Sequence, residues 1–297
     1  MLTLAKPNPL GCDGSRNMTG KDGMLLSIQK INEQLAPDKF CVPPYNSVNG
    51  GWVNKCFGVM KTKPSDLKYL VTAEIVLPWR RAYQTAYFYT DLEPFKSLVK
   101  VIDAATLAYY SDNFFCSYMA LIPVVEGVLD RWGKEDIPNY NPDSAIRPRI
   151  ELLFNHAELK LNHDIYWHQY LLIQHAWLQT TLANVFFAHG SSHLKKGHTD
   201  GFNRSVMSHM LAVPDMFDSN VHSLRVFLLL DVLAILYAAT HSDKHPGISP
   251  VRDLTNKPEL MNKYWGIYKS CASKTIMEGS YNLTLESHIY KPSEGKA

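Results

Sequence analysis

Arg204 and His209 stand five residues apart in the segment Gly201-Phe-Asn-Arg-Ser-Val-Met-Ser-His-Met. An arginine and a histidine together can cut RNA without a metal. The imidazole serves as general acid or base on the ribose 2′-OH or the leaving 5′-oxygen, and the guanidinium stabilises charge on the phosphate. Asn203 and Ser205 flank the arginine with polar side chains that can support it. On a regular helix a spacing of five sets two side chains about 140° apart, so they converge only if the backbone leaves α geometry or the long arginine wraps round. A second pair, Arg149 and His156, lies seven apart and hence near one helix face; it reads as a solvated flank.

Histidines invite a metal reading as well. Eleven of the twelve lie between His156 and His245. His168, His175 and His189 recur at multiples of seven, but seven residues of helix rise about 10.5 Å, too far for ligands that each sit ~2 Å from one zinc. His189 and His193 are four apart with Gly190-Ser-Ser between them, which breaks a helix. There is no HExxH and no CxxC, so no metal and no cofactor is expected. No GxxxxGK[ST] or GxGxxG phosphate loop occurs either. Two carboxylates sit in apolar surroundings, Glu126 among Val, Leu and Ile and Asp231 within Val226–Ala239. A buried carboxylate needs a partner. Asp231 is read either as a group orienting Arg204 or His209, or as half of an internal salt bridge, for example with Arg225, or as facing a solvent gap. Glu126 invites the same readings.

The frame that must position these residues is mainly helical. The 297 residues are 46% hydrophobic and 20% charged, with a net charge of +2, enough for a sizeable core and neither strongly basic nor acidic. Five scattered cysteines fit a reducing cytoplasm rather than a disulfide scaffold. No apolar run of signal-peptide length opens the chain. The most apolar stretch, Val226–Ala239, is 14 residues and holds Asp231, short of the ~20 a membrane span needs. The expectation is a cytoplasmic protein with no membrane contact.

Residues 1–91 read as an N-terminal region, irregular apart from a short helix at Met24–Leu35. The β-branched and aromatic residues of Tyr69–Thr90 are compatible with a hairpin, making a small α+β unit. Residues 92–297 read as an antiparallel helical bundle. It comprises a capped start at Asp91, a long buried helix over Asp103–Trp132, and a polar loop over Gly133–Asp143. Ile150, Leu153, Phe154, Ala157 and Leu161 then recur with helical period. Further helices are expected over Asp164–Ala188, Asn203–Leu211, Ser219–Ala239 and Pro258–Ser273. A basic loop, His193-Leu-Lys-Lys-Gly-His198, lies between two of them.

Asn203-Arg204-Ser-Val-Met-Ser-His209 is followed after a loop by Asn220-Val-His-Ser-Leu-Arg-Val-Phe-Leu-Leu-Leu-Asp-Val-Leu-Ala. This text resembles the HEPN superfamily of helical ribonucleases, and in particular a bacterial branch with an NRHxxxHG motif ahead of a helix of the type NSLRxxxLLDxLA. The likeness covers residues 201–236. It extends loosely to Phe114–Trp132, where Ile-Pro-Val-Val-Glu126-Gly is similar to an earlier helix of that branch, and is absent from residues 1–90. Ser205 stands where the family carries Asn, Asp or His, and Met210 where it carries Gly. Asn184-Val-Phe-Phe-Ala-His189-Gly190 is similar to the motif's ending with Asn184 in the arginine's place; it reads as an ordinary helix C-terminus.

The resemblance implies a homodimer in which two motifs meet, easing the five-residue geometry, and a metal-independent endoribonuclease using Arg204 and His209. It implies RNA as substrate, with His189, Lys195 and Lys196 as candidate contacts along the basic loop. In this superfamily such activity serves phage defence or toxin–antitoxin systems, so an antitoxin or sensor protein is an implied partner. The departures at Ser205 and Met210 keep open a module of the same fold that binds RNA, nucleotide or protein without cutting. A histidine-liganded metalloenzyme is the third alternative.

Overall fold

The computed structural model describes residues 21–45, 48–162, 165–188, 201–209, 211, 217–242 and 257–272. His189, Lys195, Lys196 and Met210 lie outside the described residues. Within them the protein is a helical bundle of twelve helices with no strand. In chain order these are α1 (Lys21–Leu35), α2 (Gly50–Thr62), α3 (Leu67–Val76), α4 (Pro78–Gln84), α5 (Glu93–Lys96) and α6 (Val99–Tyr110). They continue with α7 (Phe114–Asp136), α8 (Ile146–Lys160), α9 (Tyr166–Thr181), α10 (Arg204–Ser208), α11 (Asn220–Thr240) and α12 (Pro258–Cys271). Wider π-type turns extend α4 over Thr85–Tyr89 and α9 over Leu182–Phe186.

α11 is the axis of the bundle. It is long and apolar enough to cross a bilayer, but it is enclosed by protein, packing on α7, α9, α3 and α8. That explains its nearly all-apolar text: a helix covered on every side needs no polar stripe. α6 packs on α7, and α12 on α4. One core joins Ile28, Val53 and Val71 of the N-terminal helices to Leu129, Phe154 and Leu233.

The periodic residues expected on α8 are indeed its inner face: Ile150, Leu153, Phe154, Ala157 and Leu161 are all buried. Each large apolar side chain so placed contributes about 1.5–3 kcal/mol. The structure departs from expectation elsewhere. Tyr69–Thr90 is not a hairpin but α3, α4 and the wide turn after it. Its β-branched residues signal burial rather than strand: Leu67, Val71 and Ile75 recur every fourth residue and are all buried. Gly50–Thr62, expected to be irregular, is helix α2, with Asn49 accepting the Trp52 N–H at its start.

The expected long helix over Asp103–Trp132 is two. Asp112 adopts a left-handed φ of 57°, and the Asn113 side chain accepts the Cys116 N–H to begin α7. α7 then runs into the expected loop as far as Asp136. Pro123 lies inside it but on the exposed side, where the carbonyl it leaves unpaired can meet water. Asp91 caps nothing; it pairs with Lys257.

Candidate functional site

Arg204 is the first residue of α10, a helix of barely more than one turn. So short a helix is held by its ends rather than by its own hydrogen bonds. Gly201 turns the chain with a left-handed φ of 70°, a conformation glycine adopts without cost, and its carbonyl accepts the Tyr118 hydroxyl. Phe202, fully buried, anchors the turn among Tyr118, Phe186 and His222.

Asn203 fixes the helix start. Its Oδ1 accepts the Val206 N–H at 3.0 Å, and its Nδ2 donates to the carbonyls of Val185 at 2.7 Å and Ala188 at 3.0 Å. One buried amide therefore caps α10 and ties it to the end of the turn after α9. Val206 and Met207 point inward. Arg204 and Ser205 are left half-buried at the surface and His209 exposed at the C-terminal end, where its own N–H bonds to the Ser205 carbonyl.

Arg204 meets Glu126 of α7, as the sequence reading allowed for that carboxylate, with Nη2 donating to Oε2 at 3.1 Å. Behind it lies a ladder of alternating charge. Arg149 of α8 is 3.8 Å from the other oxygen of Glu126 and binds Asp130, one turn further along α7. The Tyr140 hydroxyl donates to Asp130 at 2.9 Å; burial and that carboxylate push its phenol up to about 12. Arg149 is buried, so the Arg149–His156 pair is not the solvated flank expected of it. His156 instead lies 3.8 Å from Asp136. At the outer end Arg204 keeps 38% of its side chain exposed. A guanidinium offers five donors, so the outer end can still receive a phosphate oxygen.

Asp231 does not orient Arg204 or His209; it is half of an internal salt bridge, with Arg81 rather than Arg225 as its partner. It is fully buried on α11 and binds Arg81, with Nη1–Oδ1 at 3.2 Å and a closer contact from Nη2. The hydroxyls of Tyr45 and Tyr89 donate to the same carboxylate. Burial, then the carboxylate, hold both phenols well above their ordinary range; burial opposes the Arg81 cation, but Asp231 more than restores it. Arg225, the expected partner, donates instead to the Asp38 carbonyl at 2.9 Å. These partners come from residues 21–91, where no sequence motif marks them.

The histidine stripe is not a metal site among the described residues. His168 accepts the Asn162 N–H at 2.8 Å, and buried His175 bonds the Phe154 carbonyl at 2.9 Å. The one group of ligand type within the described residues is Glu135, Asp136 and His241. It is already engaged: Asp136 binds His241 at 2.7 Å, Lys160 at 2.9 Å and Trp132 at 3.0 Å, and Glu135 accepts the Tyr237 hydroxyl at 2.6 Å. Burial raises the Asp136 carboxyl, but these three donors together hold it below its ordinary value. Asn184 accepts from Arg147 at 3.2 Å, an ordinary surface tie. Set against family models, curated proteins and solved structures, the chain matches none.

Proposed function

We propose that this chain is a metal-independent endoribonuclease of HEPN type, with Arg204 and His209 as its catalytic residues. The observation that carries the reading is the mounting of α10. A buried asparagine cap and a buried aromatic anchor fix the helix, while its arginine and its terminal histidine face outward. Such an arrangement holds reactive groups on a rigid base and leaves them open to a polymer.

In the reaction the His209 imidazole takes the proton of a ribose 2′-OH. The 2′-oxygen attacks the adjacent phosphorus, and Arg204 stabilises the added negative charge. The 5′-oxygen leaves with a proton supplied by an imidazole, giving a 2′,3′-cyclic phosphate and a 5′-OH. Glu126 holds Arg204 at its place on the rim until a phosphate oxygen competes for it. Since a regular helix sets Arg204 and His209 about 140° apart, a homodimer that brings two copies of α10 together supplies the complementary pair. Lys195, Lys196 and His189 would extend the contact along the RNA. Free cysteines at positions 41, 56, 116 and 271 suit a reducing cytoplasm. Phage defence or toxin control, with an antitoxin or sensor as partner, is the setting this activity would serve.

The test is the chemistry of the cut ends. A defined RNA incubated with the protein in EDTA should yield a 2′,3′-cyclic phosphate and a 5′-OH. Ends bearing a 5′-phosphate would refute a 2′-OH nucleophile. A second reading, a non-cutting RNA-binding module, is favoured by Glu126 occupying Arg204; bound but intact RNA would select it.

A further inference from the structure

A cavity of about 340 Å³ opens between the stretch after α1, the outer side of α3 and the start of α11. That volume lies in the range of small-molecule sites, about 300–1,000 Å³. Its walls carry neither Arg204, His209 nor Glu126, so it is distinct from the proposed cleavage site.

The polar groups on the walls are mostly donors. Lys68 and Arg225 bring positive charge, and among the described residues Asp38 is the one carboxylate on the walls. Arg225 is only 6% exposed; its Nη1 lies 3.2 Å from Nδ1 of His222. A guanidinium can only donate, so that nitrogen accepts and the imidazole holds the guanidinium in place. The His222 ring lies against Tyr118 and Phe202, with centroids 5.1 Å and 6.1 Å away. The donors are thus set in place before anything binds. Thr72 spends its hydroxyl on the Tyr69 carbonyl at 3.2 Å. The first turn of α11 lies at the positive end of a 21-residue helix; the His222 N–H there donates to the Ser219 carbonyl at 3.1 Å, and the Ser219 side chain caps no N–H. Phe40 and Leu224 supply an apolar floor, and Tyr69 stands half exposed at the rim.

We propose that this cavity binds a small organic anion, a phosphate or carboxylate group carried on a flat apolar body. The anionic head meets Lys68 and Arg225, and the body lies against Phe40 and Tyr69. The full chain is titrated calorimetrically with phenyl phosphate, benzoate, inorganic phosphate and phenol. Saturable binding of phenyl phosphate or benzoate is expected, the tighter of the two naming the head group, with none by phenol. Lys68→Glu, on a half-exposed side chain, should weaken binding by about tenfold or more. Thr72→Trp should block the cavity and abolish it. Both variants leave buried Arg225 in place, and circular dichroism checks that they are folded. Failure of both aryl anions to bind, or binding that both folded variants retain, would overturn the assignment. So would inorganic phosphate binding as tightly as phenyl phosphate, which would remove the role given to Phe40 and Tyr69.

Discussion

The Asp231 knot and the Glu126 ladder use the same materials: arginine guanidinium, carboxylate and tyrosine hydroxyl. They differ in where they end. The knot draws Tyr45, Arg81 and Tyr89 around one fully buried carboxylate, and each of its arms runs into the core. The ladder begins in protein at Tyr140, Asp130 and buried Arg149, and finishes at the half-exposed guanidinium of Arg204. A network closed on all sides fixes the fold. A network with one open end can hold a charged group in place and still offer it to a ligand.

That contrast predicts an order of effects. Asp231→Asn should be the most damaging change, costing about 3–5 kcal/mol because it strands the buried Arg81 cation. Urea unfolding followed by circular dichroism would measure it. Next comes Asn203→Ala, which removes the cap of α10 and orphans the Val185 and Ala188 carbonyls, at about 1–3 kcal/mol. RNA cleavage should fall with it even at temperatures where the variant stays folded. Glu126→Gln should cost about 1 kcal/mol or less, since its partner Arg204 is more than a third exposed. It should also tighten RNA binding in a filter assay by releasing Arg204 to phosphate. If Glu126→Gln proved as destabilising as Asp231→Asn, the distinction between closed and open networks would fail.

The smallest effect concerns pH. Burial holds the His175 imidazole below its ordinary value of 6.5, with the Phe154 carbonyl bond acting the other way. As pH falls below 6.5 the unfolded chain takes up this proton first, so the stability present above that pH is lost on the way down to the folded value. His175→Gln removes the group. The stability advantage of wild type over the variant should therefore shrink as pH falls through and below 6.5. A constant difference would show that His175 stays solvated.

Much of the bundle was legible because its signals are local. The α8 stripe and the Pro258 start of α12 follow from periodicity and from proline at a first helical turn, and α11 does begin after Ser219, although its side chain caps nothing there. The N-terminal helices were obscured because Val, Ile and Tyr favour strands on exposed sheets, whereas here burial against α11 and α12 decides. The break at Ser111-Asp-Asn113 was written in the text as three turn-forming residues between apolar runs, a signal outweighed by the length of the run. At the site, Arg204, His209, Asn203 and Glu126 were all visible by type, but only the fold places Glu126 against Arg204 across 78 positions. Arg149 looked like a surface residue, because nothing in its own helix reveals the two carboxylates one helix away. The partners of Asp231 were beyond reach for the same reason, lying up to 186 positions distant.

The most direct test of the central claim is cleavage of a defined RNA in the presence of EDTA by wild type, Arg204→Ala and His209→Ala, with folding and oligomeric state checked on the same samples. Cutting by a wild-type dimer that survives EDTA and vanishes in both folded variants is the result this account predicts. Cutting that EDTA abolishes, or that persists in either folded variant, would contradict it.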